Sequence, residues 1–153
     1  MTPAIRTLQQ LNIQYETLEY PVKHDGDYGA NAAQALGLNP AQVFKTLLVS
    51  VDLQSAPIAV ALVPVTEQLN LKQFAKTLQV KKLQLAAPHL AQKSTGYLVG
   101  GISPIGQKKK LATYLDQSAK QFETIYVSGG QRGLQLCLAP RHLIQACQAQ
   151  WLG

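Results

Sequence analysis

A lysine stands among apolar residues in the β-branched segment 43–51. Alternate residues of an extended strand share a face, so Lys45 would lie beside Val43 and Leu47. A charged ammonium among apolar side chains is costly unless it is paired. Two interpretations remain open. Lys45 could contact a phosphate or carbonyl at the floor of a cleft, or its stem could cover apolar surface while the ammonium stays in water.

Two glycine-containing segments could bind an anion. Residues 100–104, Gly-Gly-Ile-Ser-Pro, offer backbone N–H groups that could hold a carbonyl oxygen as it becomes an oxyanion. Residues 128–130, Ser-Gly-Gly, precede Arg132 and Gly133 and could form an anion-binding nest. Ordinary turns are the alternative for both segments.

Familiar catalytic and metal-binding motifs are missing from the sequence. It has no GxSxG elbow, Walker-type phosphate loop, dinucleotide fingerprint or HExxH pair. His24, His89 and His142 are scattered, and Cys137 five residues before His142 indicates packing better than a nucleophile and its base. Cys137 and Cys147 form no CxxC pair, which argues against a disulfide framework or a zinc site and favours two small buried apolar residues. We therefore assign no covalent nucleophile, no metal and no cofactor.

The elements that must position these residues follow from hydrophobic periodicity and capping signals. Helices are predicted over residues 3–11 and about 30–36, after Asn70 as far as Leu78, and from Pro88 and Pro140 onwards. Strands are predicted near residues 15–20, 43–51, 58–63, 124–127 and 134–138, the second and third as a hairpin of two central strands. Residues 95–107 show no hydrophobic periodicity of a helix or a strand and are predicted to form a loop. A loop of that length needs a functional explanation.

These elements predict an α+β fold, a single compact domain with a mixed β-sheet flanked by helices. The chain has 153 residues, is 46% hydrophobic and has no Pro/Gly/Ser-rich linker, so we expect one domain over residues 1–153. The N-terminus lacks signal-peptide features, and no run approaches the roughly 18 apolar residues of a membrane span. We therefore expect a cytosolic protein.

Positive charge is concentrated in the middle of the chain. The net charge is +6, and the stretch between Gln68 and Leu115 contains no acid but has eight lysines: Lys72, Lys76, Lys81, Lys82, Lys93, Lys108, Lys109 and Lys110. Such a field suits a polyanion and predicts salt-sensitive binding. A solvated basic face without a nucleic-acid partner is the alternative.

Three blocks of the sequence together resemble the YbaK/EbsC family over nearly the whole chain. They are residues 36–49 (Leu-Gly-Leu-Asn-Pro, then Gln-Val-Phe-Lys-Thr-Leu-Leu-Val), residues 94–109 around Gly-Gly-Ile-Ser-Pro, and residues 124–134 around Ser-Gly-Gly. The resemblance implies the compact α+β fold of the editing domain inserted in some bacterial prolyl-tRNA synthetases. It also implies an enzyme, a metal-free hydrolase that removes amino acids from mischarged tRNA in trans, with Cys-tRNA(Pro) as the expected substrate. Other small aminoacyl-tRNAs are a variant of this expectation.

The resemblance also implies roles for individual residues. Lys45 matches the family's essential lysine, and residues 100–104 match its GxxxP substrate loop. The residues expected to be catalytic are Lys45, Gly100 and Gly101, and those expected to bind substrate are Tyr20, Thr46, Ser103, Pro104, Ser128, Gly129 and Gly130. The basic residues expected to contact tRNA are Lys81, Lys82, Lys108, Lys109, Lys110 and Arg132. In cysteine-specific members the substrate's own thiol is thought to attack its ester, so no protein nucleophile is needed.

One position departs from the family pattern. Related sequences carry an acidic residue shortly after the Gly-Gly turn, whereas this chain has Gln135. Any role of an acid there in fixing Lys45 or the substrate amine is therefore in doubt. The alternative function, a non-catalytic module that binds tRNA or the synthetase, draws its only support from this substitution.

Prolyl-tRNA synthetase is the expected protein partner.

Overall fold

The computed structural model describes residues 1–22 and 28–153. The helices are α1 (Pro3–Gln10), α2 (Tyr28–Leu36), α3 (Leu71–Leu78), α4 (Pro88–Thr95) and α5 (Pro140–Cys147), with short 3-10 helices at Pro40–Gln42 and Gln117–Gln121. The strands are β1 (Glu16–Glu19), β2 (Phe44–Ser50), β3 (Ala59–Pro64), β4 (Gln84–Leu85), β5 (Ala112–Asp116), β6 (Ile125–Ser128), β7 (Leu134–Leu138) and β8 (Gln150–Leu152). The α+β class predicted from the sequence is confirmed.

The strands form two sheets that meet beside β2. The smaller sheet is antiparallel, in the order β1-β7-β6, and the larger is mixed, in the order β4-β2-β3-β5-β8. The predicted hairpin of β2 and β3 is antiparallel and interior to the larger sheet, with Lys45 opposite Val63. A parallel bridge between Val43 and Tyr126 joins the start of β2 to β6. This junction brings residues of both sheets to one place.

The main core fills the space beneath the smaller sheet. Strand β7 turns Leu136 and Leu138 into this core, where they pack with Leu8 of α1 and Leu143 of α5. Alternation directs the intervening residues of β7 to the opposite face. The smaller sheet therefore has one apolar face and one face on which polar side chains can form a site.

Helix α1 is tied to the turn between β6 and β7 through its N-cap. The Thr2 hydroxyl accepts a hydrogen bond from the Ile5 N–H at 3.3 Å and donates one to the Gly129 carbonyl at 2.6 Å. An N-cap threonine satisfies one of the free N–H groups at the start of a helix. Here the same hydroxyl also fixes the helix against a turn of the smaller sheet.

The predicted elements are confirmed with small shifts, but three strands were not predicted. Strand β4 has only two residues, and β5 and β8 pair in parallel with partners far away in sequence. Parallel pairing leaves little local signal, because its hydrogen bonds join distant segments. No helix in residues 1–22 and 28–153 has the length and apolar character needed to cross a bilayer.

Candidate functional site

A cavity of about 260 Å³ lies at the junction of the two sheets. Its walls come from the end of β1, the start of α2, the first half of β2, the turn after α4, and the hairpin of β6 and β7. The lining residues are Tyr20, Tyr28, Gly29, Val43, Phe44, Lys45, Thr46, Leu47, Val99, Gly100, Ile102, Ser128 and Gln135. The cavity thus collects residues from all three sequence blocks singled out above.

Lys45 lines this cavity and is partly exposed. Among the described lining residues it carries the one formal charge, since no carboxylate lines the cavity there. A lysine held beside apolar walls without a counter-ion attracts an anion or the oxygen of a polarised carbonyl. Of the two interpretations of Lys45, its place in the cavity favours the one in which the ammonium contacts a ligand.

Gly100 forms the tip of a turn in the cavity wall. The Gly101 N–H donates to the Leu98 carbonyl at 2.9 Å, and Gly100 has a φ of +91°. A Cβ at Gly100 would lie 2.8 Å from both Arg132 Nε and Tyr28 Cε2. Only glycine combines this backbone conformation with such close neighbours. The turn therefore depends on the first glycine of the predicted Gly-Gly-Ile-Ser-Pro loop.

Two side chains hold the turn from opposite sides. The Val99 N–H donates to Gln92 Oε1 of α4 at 2.9 Å, and Arg132 Nε donates to the Val99 carbonyl at 2.9 Å. The Arg132 guanidinium also stacks over the Tyr28 ring at 4.9 Å, within the range of a cation–π contact. This wall of the cavity is consequently preformed.

The rest of the loop after α4 is also fixed. The buried Tyr97 hydroxyl donates to the Ile105 carbonyl at 2.6 Å, and burial raises the pKa of Tyr97 to about 12. At the far end of the loop, the Lys108 and Lys109 N–H groups donate to carbonyls at the end of α4. One ordered segment thus has the cavity wall near its beginning and exposed lysines near its end.

The segment after Ser128 closes the hairpin of β6 and β7, which was one of its two predicted roles. The Gly129 N–H donates to the Leu134 carbonyl at 2.9 Å, and Ser128 Oγ accepts from the Gly130 N–H at 3.2 Å. The Gly133 carbonyl accepts from the Tyr20 N–H at 2.9 Å. The turn therefore places Tyr20 and Ser128 on neighbouring walls of the cavity.

Five of the predicted site residues meet at the cavity, namely Lys45, Gly100, Tyr20, Thr46 and Ser128. The other five, Gly101, Ser103, Pro104, Gly129 and Gly130, lie outside its lining. Ser103 is fully buried, and its hydroxyl accepts from the Ile105 N–H at 3.2 Å. The Pro104 carbonyl accepts from the Cys147 thiol at 3.3 Å. In this structure these residues support the loop and the hairpin around the cavity.

The basic residues predicted to contact tRNA occupy different places. Lys108, Lys109 and Lys110 are exposed on the loop whose other end carries Gly100. Arg132 is exposed at the rim, whereas Lys81 and Lys82 are exposed just after α3. Arg132 is therefore linked directly to the cavity wall through the Val99 carbonyl, whereas Lys108 and Lys109 are anchored by their N–H groups to the end of α4.

Two lining residues with polar side chains, Tyr28 and Gln135, were not predicted as part of the site. Tyr28 gave no signal, because the predicted helix began two residues later. Gln135 was noted only as a departure from the family pattern, yet it is 5% exposed and its Oε1 has no hydrogen-bond partner. No local signal marks its burial, because a polar residue alternating with Leu134 and Leu136 is the ordinary pattern of a strand with one polar face.

The described histidines and the two cysteines lie away from the cavity lining. His89 is exposed and His142 partly exposed, while His24 lies outside the described residues. Cys137 and Cys147 are free, and both residues are partly exposed and so less buried than expected, although burial raises the pKa of the Cys147 thiol. Cys137 is on the face of β7 opposite the core, which explains its exposure. Among the described residues, no group of three or more His, Cys, Asp or Glu could hold a metal.

A larger cavity of about 540 Å³ lies elsewhere, between α3 and the end of the chain. It is lined by Phe74 and Trp151 and by the carboxylates Glu67 and Asp116, and it contains none of the predicted site residues. Size alone therefore does not identify the functional cavity. The smaller cavity has the lysine, the fixed glycine turn and the unpaired amide.

Comparisons with known proteins show the family of the chain. Residues 27–146 match the model of the aminoacyl-tRNA editing domain. The chain is 36% identical over 150 residues to EbsC of Enterococcus faecalis, described as a candidate Cys-tRNA(Pro)/Cys-tRNA(Cys) deacylase, and the match covers 98% of this chain and 90% of that protein.

Solved structures share the fold. A crystal structure described as a candidate trans-editing enzyme for prolyl-tRNA synthetase aligns with a TM-score of 0.81 at 23% identity, covering 99% of this chain and 96% of that one. A hypothetical protein aligns with a TM-score of 0.84 at 23% identity, covering 97% and 96%. With a family match over residues 27–146 and a relative of this identity along almost its full length, the chain belongs to the aminoacyl-tRNA editing domain family.

Proposed function

We propose that the protein is a trans-editing deacylase that hydrolyses Cys-tRNA(Pro), and that residues 1–153 act as a single deacylase domain. The observation that carries this proposal is the cavity lined by both Lys45 and the fixed turn at Gly100. The 36% identity to EbsC supports cysteine as the amino acid removed. A cavity that excludes only larger groups would also accept other small aminoacyl esters, because one methylene changes binding by about 1–3 kcal/mol.

The proposed chemistry uses the thiol of the substrate. The thiol gives up its proton as its sulfur forms a bond to the ester carbonyl carbon, and the negative charge moves to the carbonyl oxygen. The bond from that carbon to the ribose oxygen then breaks, the ribose oxygen takes a proton, and water hydrolyses the thiolactone to free cysteine. Because the nucleophile is held within the substrate, the protein needs mainly to fix the reactive pose and stabilise the oxyanion.

Each wall of the cavity has a proposed part in that step. The Lys45 ammonium stabilises the oxyanion or holds the acceptor end, and Gly100 shapes the wall against which the ester lies. Gly101 acts through its hydrogen bond to Leu98, which holds the turn. Tyr20, Thr46 and Ser128 complete the lining around the aminoacyl group.

The proposed tRNA contacts lie outside the cavity. Arg132 at the rim is suited to a phosphate near the acceptor end, and Lys108, Lys109 and Lys110 to the backbone beyond it. Lys81 and Lys82 are proposed to extend this surface. Prolyl-tRNA synthetase is the proposed partner that presents the mischarged tRNA, which places the reaction in the cytosol.

The test is release of labelled amino acid from Cys-tRNA(Pro), Ala-tRNA(Pro) and Cys-tRNA(Cys), with and without prolyl-tRNA synthetase. We expect wild type to release cysteine fastest from Cys-tRNA(Pro). Lys45→Ala should lower the rate by about 10²–10³, the usual effect of removing one oxyanion donor. Lys93→Ala is the matched control, since it removes the same charge from α4, outside the cavity lining.

The outcomes separate the two candidate functions. Normal turnover by a folded Lys45→Ala variant would remove Lys45 from the mechanism. No release from any substrate by wild type, with tRNA still bound, would instead identify a non-catalytic binding module.

A further inference from the structure

Gln135 occupies the centre of the smaller sheet but belongs to the cavity. It lies in β7, the middle strand, directly opposite Ser128 of β6 and Leu18 of β1. The neighbouring Leu134 and Leu136 are buried on the other face of the strand. The Gln135 side chain is therefore held by strand pairing on both sides, in a position that lines the cavity with Lys45.

The amide oxygen of Gln135 has no hydrogen-bond partner among the described residues. The residue is 5% exposed, and its Oε1 makes no hydrogen bond within the described part of the chain. A buried carbonyl oxygen without a donor is costly, so such atoms usually receive a hydrogen bond from water or a ligand. This oxygen is an unpaired acceptor on a side chain that lines the cavity.

An aminoacyl ester offers two polar groups close to its reacting carbon. The ester carbonyl needs a donor, and the α-amino group needs an acceptor. Lys45 supplies only donors. With no carboxylate among the described lining residues, the unpaired amide oxygen of Gln135 is an acceptor that can serve the amine.

We propose that Gln135 Oε1 accepts a hydrogen bond from the α-amino group of the substrate and makes Gln135 a specificity-determining residue. This inference rests on the proposed deacylase function. Lys45 and Gln135 then bind different groups of the substrate. Lys45 binds the ester carbonyl, and Gln135 binds the α-amino group. The amide does so without placing a carboxylate beside Lys45, which keeps the lysine charge available for the ester oxygen.

The test compares two substrates that share the thiol. One is Cys-tRNA(Pro), and the other is the same tRNA carrying a 3-mercaptopropionyl ester, which keeps the thiol and lacks the amine. Gln135→Met keeps the length of the side chain and removes the amide. We expect this variant to lower kcat/KM about tenfold on Cys-tRNA(Pro), as for loss of one buried hydrogen bond, and by less than about twofold on the analogue.

Thr46→Val provides the matched control. Thr46 Oγ1 is a second buried atom of the cavity lining without a partner among the described residues, and valine has nearly the same shape. We expect Thr46→Val to change the two substrates by the same factor. Thermal unfolding of each variant shows that the comparison is made between folded proteins.

Several results would overturn the inference. If Gln135→Met lowered kcat/KM equally on both substrates, Gln135 would have a purely structural role. If Thr46→Val abolished the difference between the two substrates, the amine would be assigned to Thr46 instead. In both cases wild type still releases cysteine, so the proposed function stands. A wild type that releases nothing from either substrate would overturn the deacylase function and this inference with it.

Discussion

Arg132 Nε donates a hydrogen bond to the Val99 carbonyl at 2.9 Å, and through it the hairpin of β6 and β7 holds the turn that forms a wall of the Lys45 cavity. The guanidinium also lies over the Tyr28 ring. A lysine can keep the charge at this position but has no planar fork to make both contacts.

The Arg132→Lys variant should therefore distinguish two roles of Arg132, namely holding the turn at Val99 and binding tRNA. We expect tRNA affinity to stay within about threefold, whereas the single-turnover rate of deacylation falls about three- to tenfold, as for one exposed hydrogen bond with its cation–π contact. Rapid-quench kinetics and a binding titration measure the two quantities. If Arg132→Lys reacts at the wild-type rate while Arg132→Gln loses affinity, Arg132 serves tRNA binding alone.

Gly100→Ala should impair the reaction because the new Cβ would lie 2.8 Å from Arg132 and Tyr28 at a φ of +91°. We expect at least a tenfold fall in kcat/KM, since the wall must shift. The control is Gly37→Ala, at a φ of +65° with nothing within 4 Å of the added Cβ. Each substitution costs about 1–2 kcal/mol in backbone conformation. Equal activities in the two variants, measured well below their unfolding temperatures, would show that the turn at Gly100 does not affect catalysis.

Replacing Lys108, Lys109 and Lys110 with alanine should weaken tRNA binding and its dependence on salt. Each phosphate contact contributes about 0.7–0.9 to the slope of log affinity against log salt concentration, so we expect the slope to fall by about 2. Alanine at Lys72, Lys76 and Lys120 removes the same charge from other elements and is the control. An equal loss of slope in both triple variants would indicate a general field rather than a contact at residues 108–110.

Alkaline pH should destabilise the fold through Tyr97 and Cys147. Burial raises the pKa of each group to about 12, from ordinary values of 10.0 and 9.0. Because both folded values lie above the unfolded ones, their contribution to stability is complete below about pH 9 and is lost as the pH rises towards 12. We expect the free energy of unfolding in urea to fall between pH 8 and pH 10.5.

Cys147→Ala identifies the thiol's share of that fall. The variant should lose less stability between pH 8 and pH 10.5 than wild type, because the buried thiol begins to contribute at lower pH than the phenol. Tyr97→Phe should cost about 1 kcal/mol at neutral pH, since the Ile105 carbonyl loses its donor. Identical pH profiles for wild type and Cys147→Ala would assign the alkaline loss to other groups.

Local patterns were sufficient to predict most of the elements around the site. Lys45 was identified because alternation in β2 placed a charge among apolar residues, and the Asn70 cap marked the start of α3, where its side chain accepts from the Gln73 N–H. Such signals depend on residues a few positions apart. The family resemblance then added Tyr20 and Ser128, which meet Lys45 only after the two sheets come together.

The parts that could not be predicted depend on distant contacts. Strand β8 has three residues, and its pairing with β5 joins Leu115 to Trp151. Tyr28 reaches the cavity because Arg132, over a hundred residues later, stacks on its ring. Gln135 has an unpaired oxygen only because no neighbour in the folded chain supplies a donor. None of these features has a local pattern.

The bond between the Thr2 hydroxyl and the Gly129 carbonyl spans 127 positions of sequence, and β1 likewise pairs with β7. During synthesis, the residues around Thr2 and in β1 must therefore wait for partners made more than a hundred residues later. Contacts of such wide separation slow folding, and a sheet whose middle strand arrives late leaves its edges unpaired in the meantime. The smaller sheet, and with it the Gln135 wall of the cavity, is thus completed only after β7 has been synthesised.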